Sequence, residues 1–175
     1  MRPWLCQGDI WESVPIVLPA INASGALEVT CDQAGPALLA THGCDLDKAT
    51  GSGRSKIERL QFMPLLALSQ QDRNRQALLR REQINPPEAM FVGSVPSIGD
   101  AFCLLSEMYW LPARWFDPEL ISYDDHPDAE EGSRYLTARH NGDRLGRLED
   151  ERVHLLHQKM RAFWTRLIQE VPPNP

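Results

Sequence analysis

Met90-Phe91-Val92-Gly93-Ser94-Val95-Pro96-Ser97-Ile98-Gly99-Asp100-Ala101-Phe102-Cys103-Leu104-Leu105 holds two short apolar runs parted by glycine, proline and a Gly-Asp pair. Such residues supply turn geometry, and this spacing is that of small all-β units. The same texture recurs upstream. Leu60 to Leu68 reads as a strand, although Pro64 has no N–H for a ladder and requires an edge, a bulge or a strand end. Gly35-Pro36 is turn chemistry that introduces Ala37-Leu38-Leu39-Ala40-Thr41, a buried strand. Glu28 to Cys31 forms a second edge strand, and Cys6 to Val17, with Gly8-Asp9-Ile10-Trp11, is the first strand, running into a loop at Pro15 and Pro19. Asp9 itself is expected to accept backbone N–H bonds in a turn.

Helical pattern interrupts this at two places. Gln70 to Glu82 is built of Gln, Arg, Leu and Ala and is stopped by Asn85-Pro86-Pro87, which predicts a short basic exposed helix. At the far end Val153, Leu156, Met160, Phe163, Leu167 and Val171 recur at three- and four-residue steps. Glu149, Asp150 and Glu151 favour a helix start there, and Pro172-Pro173 ends it. Pro112 opens a brief helical turn through Phe116, and Tyr123 to Ser133, rich in Asp and Glu, is an acidic surface loop. The expectation is a mainly β protein in one domain over 1–175: an SH3-like small barrel of five to seven short strands (about 6–120), an acidic loop (121–133) and a long C-terminal α-helix (about 149–171) packed across the barrel.

With 42% apolar residues the chain has enough for one core, and 24 acidic against 18 basic residues leave it at −6, a poor match for non-specific binding to a polyanion. No run approaches the roughly 18 apolar residues of a membrane helix. No apolar stretch of signal-peptide length follows Arg2, and the four cysteines are far apart with no C-x-x-C pair. Reduced thiols in a cytoplasm, with no metal and no cofactor, are expected.

The densest polar constellation is Thr41-His42-Gly43-Cys44-Asp45-Leu46-Asp47-Lys48, after the buried strand, where a rigid scaffold presents chemistry. His42, Cys44, Asp45 and Asp47 are transition-metal ligand types, but His42 and Cys44 alone cannot build a tetrahedral site, and a distant His would have to complete it. A Cys44 thiolate activated by His42 is a second reading, since alternate residues of an extended segment point the same way. A third is structural: turn hydrogen bonds from the aspartates, Cys44 filling a core gap, His42 paired with a neighbour. Arg73, Arg75, Arg80 and Arg81 make a basic helix face suited to phosphates or simply to water. Trp110, Trp115 and Phe116 are clustered aromatics suited to an exposed partner site, although core packing is the leading expectation, and His154 and His157, near the apolar stripe of the last helix, are expected on the surface, reaching a metal only with a partner from elsewhere.

Taken in order, Gln7-Gly8-Asp9-Ile10-Trp11, Gly35-Pro36-Ala37-Leu38-Leu39-Ala40-Thr41, Leu60 to Ser69 around Pro64, and Phe102-Cys103-Leu104-Leu105-Ser106-Glu107-Met108 resemble the PemK/MazF family of small SH3-like barrels over roughly residues 7–116. The resemblance implies a compact antiparallel barrel, commonly dimeric, in a family of toxins that cleave single-stranded RNA and partner antitoxins. Two departures bear on activity. The family's Arg before the second-strand Pro is replaced by Gly35, and its Thr or Ser after the third-strand Pro by Leu65, Leu66 and Ala67. The resemblance therefore carries the fold and not the catalytic residues. The leading expectation is a binding or accessory module for a protein (antitoxin-like or a complex subunit) or RNA, in a toxin-antitoxin or defence context, using Thr41, Lys48, Arg73, Arg75 and Arg80. The alternative is an enzyme: a ribonuclease with a relocated site, its missing cation supplied by Arg54 or Lys56, or a hydrolase using His42, Cys44, Asp45 and Asp47.

Overall fold

The computed structural model describes residues 2–21, 23–46, 56–138 and 143–170. Within them the elements run β1 (Asp9–Ile21), β2 (Leu27–Leu39), α1 (Gly43–Leu46), β3 (Arg59–Pro64), β4 (Leu66–Ala67), α2 (Arg73–Leu79), β5 (Ala89–Val95), β6 (Gly99–Leu104), β7 (Tyr109–Pro112), β8 (Pro118–Ser122), β9 (Arg134–Ala138), β10 (Arg144–Arg147) and α3 (Asp150–Glu170). The protein is mainly β with a long C-terminal helix, as its sequence indicates. The barrel of five to seven strands needs correction, because the described strands number ten and hydrogen-bond as three antiparallel sheets, in the orders β10-β1-β2-β3-β7, β4-β6-β5 and β8-β9, without closing into a barrel.

Pro64 is where the sheets part. It ends β3 opposite Ala37, Leu65 donates to the Pro36 carbonyl at 2.9 Å, and the next two residues pair with β6 in the other sheet. A residue without an N–H cannot continue a central ladder, and of the edge, bulge or strand end that Pro64 requires the chain adopts the strand end. The first and second strands are also longer than expected: β1 and β2 form one hairpin from Ile10↔Leu38 to Ile21↔Leu27, and the separate strand expected at Glu28–Cys31 is part of β2.

Side chains alternate across the five-stranded sheet, and both faces are covered at its centre. Ala37, Leu39, Leu60 and Phe62 join a core with Trp11, Leu111, Phe116 and Leu136, whereas Leu38 and Met63 face the opposite layer with Met90, Val92, Ala101 and Cys103. Burial on both faces explains why Ala37 to Ala40 is unbroken apolar sequence. The expected core place of Phe116 holds, but Trp110 and Trp115 are 53% and 48% exposed.

Helix α3 packs on the second layer through Leu156, with Val153, Met160 and Phe163 beside it. Val171 lies outside the described residues. Polar anchors fix the helix along its length. Arg152 donates to the Val92 carbonyl at 2.7 Å and pairs with Glu82 at 2.7 Å, and the buried Lys159 donates to the carbonyls of Ile84 and Pro86 at 3.1 and 2.7 Å. Gly8 lets this helix approach: its φ is +90°, and a Cβ there would stand 3.0 Å from Val153 Cγ2. Helix α2 starts later than expected because Asp72 caps it, accepting from the N–H groups of Asn74 and Arg75.

The segment before β1 is tied down by charge. Asp9 Oδ2 accepts from Cys6 N at 2.8 Å, the turn bond expected of it, and also from Arg144 Nη1 at 3.1 Å. Arg144 in turn donates to the carbonyls of Trp4 (2.7 Å) and Arg2 (2.5 Å). Both side chains of the pair are almost wholly buried. No helix among the described residues is long and apolar enough to cross a membrane.

Candidate binding groove between the β2 end and the C-terminal helix

Beyond β2 the chain is held against β3: Ala40 donates to the Gln61 carbonyl at 2.8 Å, and Thr41 Oγ1 accepts from Gln61 N at 2.7 Å. It then turns into α1, where Asp45 and Leu46 both donate to the His42 carbonyl and the Leu46 side chain is buried. This turn corrects the extended segment expected at His42–Cys44. Cys44 offers its backbone N–H, not its thiol, to His42 Nδ1 at 3.2 Å, and its side chain is exposed, so it fills no core gap.

The distant histidine is His157 of α3. Its ring centre lies 5.1 Å from that of His42, with the planes 30° apart. Gln7 orients it. The buried amide donates through Nε2 to the Ala40 carbonyl at 2.8 Å, which leaves Oε1 to face His157 Nε2 at 2.5 Å. An oxygen there requires a proton on His157 Nε2, and the Cys44 N–H requires a lone pair on His42 Nδ1. The two neutral rings therefore hold the same tautomer, protonated on Nε2, but are held by different nitrogens: Gln7 engages the Nε2–H of His157 and Cys44 the Nδ1 lone pair of His42.

Burial, then the neighbouring His42 and His154, push the His157 midpoint below its ordinary 6.5. The folded state disfavours the charged ring, so the stability contributed by neutral His157 is complete above pH 6.5 and is lost as pH falls through the lower folded midpoint. Imidazole proton NMR is expected to place His157 below 6.5 and to show it rising in His42→Ala. A midpoint at or above 6.5, or one indifferent to His42→Ala, would contradict this electrostatic picture.

Around the pair lies a groove of about 680 Å³, bounded by Thr41, Asp45, Lys56, Arg59, Trp110 and Met160. Trp110 faces it because it stands opposite Gln61 in the β3–β7 register, while its neighbours Tyr109 and Leu111 turn into the core. The groove continues past Trp110 to Arg114 and Pro118. Gln7, His42 and His157 also wall a second hollow of about 680 Å³, which reaches Arg2, Cys44, Arg134 and Arg147. Three arginines stand with Asp128 and Glu130 around the second hollow, while the groove itself is balanced, Lys56 and Arg59 standing with Asp45 and Glu58 and, past Trp110, Arg114 with Asp117.

The structure thus gathers Thr41, His42 and Asp45 and puts Cys44 on the far side of the wall. Asp47, Lys48 and Arg54 lie outside the described residues, while Lys56 is at the groove. Arg73, Arg75 and Arg80 do not line it. They belong to α2 and its C-terminal end, where Arg75 pairs with Glu88 at 3.8 Å and Arg80 with Asp100 at 2.8 Å. Among the described residues no group of three His, Cys, Asp or Glu could hold a metal ion.

Sequence offers Trp110 as one of a cluster of aromatics suited to an exposed partner site and His157 as a ligand only with a partner from elsewhere, with core and surface places as the leading expectations; it does not single out Gln7. His157 stands four residues after Val153 and three before Met160, on the apolar stripe, and is partly buried. Trp110 follows from period-two alternation with Tyr109 and Leu111 once that stretch is read as a strand. Gln7 carries no such signal, since its role depends on the Ala40 carbonyl 33 residues away. No protein-family model matches the chain, and no curated protein matches it.

Proposed function

We propose that the chain is a divergent PemK/MazF-like cytoplasmic binding module that takes a single-stranded nucleic acid into this groove. The observation that carries the reading is Trp110, half exposed and flanked by Lys56, Arg59 and Arg114. Single strands are held by bases stacking on aromatic faces while cations track the phosphates. Free thiols at Cys6, Cys44 and Cys103 support a reducing compartment. Fluorescence anisotropy with a labelled single-stranded RNA tests it. Trp110→Ala is expected to weaken binding about 10- to 100-fold, the ~1–3 kcal/mol of one stacked base, with the far-UV spectrum unchanged. Absence of RNA binding, or binding indifferent to Trp110→Ala, would refute it.

A second reading, the relocated-site ribonuclease, is favoured by the proximity of the His42 and His157 rings, which are held by different nitrogens. Cleavage by the 2′-hydroxyl needs one group to take its proton and another to protonate the leaving 5′-oxygen. His157 Nδ1 offers the lone pair that takes the 2′-proton, and His42 would give its Nε2 proton to the leaving oxygen from its imidazolium form, returning to the neutral ring. Such an enzyme would cleave RNA in EDTA to 2′,3′-cyclic phosphate ends, and His42→Ala or His157→Ala would each abolish cleavage while sparing binding.

A further inference from the structure

The β1–β2 hairpin extends beyond the rest of its sheet. β10 pairs with β1 only as far as Trp11, and β3 pairs with β2 only from Ala37 onward, so the outer part of the hairpin has two strand edges with no neighbour among the described residues. The edges are not alike. Pro15 is paired with Ala34 and Pro19 with Val29. A proline has no N–H to exchange, so both must be wide pairs, in which the backbone groups of each residue point away from the hairpin. On β1 that outward position lacks its donor twice, which blocks strand addition. On β2 the same geometry turns the N–H and C=O of Val29 outward, and those of Leu27 two residues along.

The side chains add to this. Ile21 lies opposite Leu27, and Val29 is two residues further on the same face; they are 76%, 70% and 60% exposed, the three most exposed large apolar residues among those described. A bulge between Ile16 and Leu18 limits the regular template to Leu27–Thr30. Residues 12–36 contain Glu12, Glu28 and Asp32 and no lysine, arginine or histidine. A second copy of the same strand would bring like charges together across the new ladder, at a cost in pairing.

We propose that the outer edge of β2 at Leu27–Thr30 is a docking site for an extended segment of a partner protein, alternating apolar and basic residues, which adds to the sheet as a further strand. Main-chain bonds at Leu27 and Val29 would supply affinity, and the Ile21, Leu27 and Val29 face together with the acidic composition of the hairpin would select side chains. This surface is separate from the groove, and the inference stands whether or not the groove binds RNA.

The probe is a labelled nine-residue peptide alternating valine and lysine, compared with its valine–glutamate counterpart. Anisotropy is expected to show binding of the lysine peptide alone, weakened at least tenfold in Val29→Pro and within about threefold of wild type in Val29→Thr. Val29→Pro removes only an outward donor and leaves the pair with Pro19 as it is, so the hairpin should persist. Hydrogen exchange on the wild-type chain gives an independent reading, with the Leu27 and Val29 amides protected by the lysine peptide. No binding of that peptide, equal binding of the glutamate peptide, unaltered binding by Val29→Pro, or unprotected amides would each overturn the proposal. So would a concentration-dependent dimer in sedimentation that Val29→Pro abolishes, because the occupant would then be a second copy.

Discussion

Asp9→Ala lowers the unfolding free energy by about 3–5 kcal/mol, because it leaves the Arg144 guanidinium buried without its counter-charge. For a chain of this size that is a fall in Tm of roughly 6–20 °C. Asp9→Asn keeps an acceptor for Cys6 N and is expected to cost less, which separates the turn bond from the ion pair. Burial raises the Asp9 carboxyl above its ordinary 3.8, against the opposing pull of the Cys6 N–H and Arg144. A raised carboxyl contributes most below 3.8 and loses that contribution as pH rises through its folded midpoint. The deficit of Asp9→Ala should therefore not shrink on acidification, and urea melts at neutral and mildly acidic pH would show it. A deficit below about 1 kcal/mol at both would mean that the pair holds nothing in place. The consequence reaches the groove, since the Asp9 turn fixes the backbone at Cys6 and with it Gln7, which orients His157.

Phe62→Ala carries a comparable penalty, about 3–5 kcal/mol, for an aromatic ring removed from a fully buried position. Phe62 packs at 5.2 Å from the Phe116 ring and 6.3 Å from Tyr109, and it sits between Leu60 and Pro64 in the strand that parts the two larger sheets. It pairs with Tyr109 one step from Gln61 and Trp110, so its loss loosens the strand pair that presents Trp110. The expected signature is combined: lower stability in denaturant titration together with weaker RNA binding, whereas Trp110→Ala weakens binding alone. A Phe62→Leu variant should recover most of the stability, because it restores much of the lost volume. Equal stability of Phe62→Ala and wild type would show that this core tolerates a cavity.

Several parts of this fold can be read from local chemistry. The apolar run at Ala37–Ala40, the turn residues between Val92 and Ala101, the ladder break at Pro64 and the periodic helix at Asp150–Glu170 each depend on residues within a few positions of one another. The small barrel was not borne out as such, because closure depends on which edges meet, and the sheets instead divide at Leu65. The candidate site was half visible. Thr41, His42 and Asp45 declared themselves by density, but the extended geometry assumed for Cys44 gave way to a helical turn anchored by Leu46.

By itself the sequence determined the mainly β character with a long C-terminal helix, the break in hydrogen bonding at Pro64, the acid balance and the cluster after the buried strand, since propensity, periodicity and proline chemistry act over short range. Only the tertiary structure decided that His157 comes 115 positions along the chain to face His42, that Gln7 sets its tautomer, that Trp110 faces the groove, and that Arg144 closes over Asp9. Those contacts span most of the chain and exist only once α3 has packed against the strands and β10 has joined β1. The prolines of β1 show both levels at once: their missing N–H groups are written in the sequence, but the pairing with Ala34 and Val29 is what leaves one edge blocked and the other open.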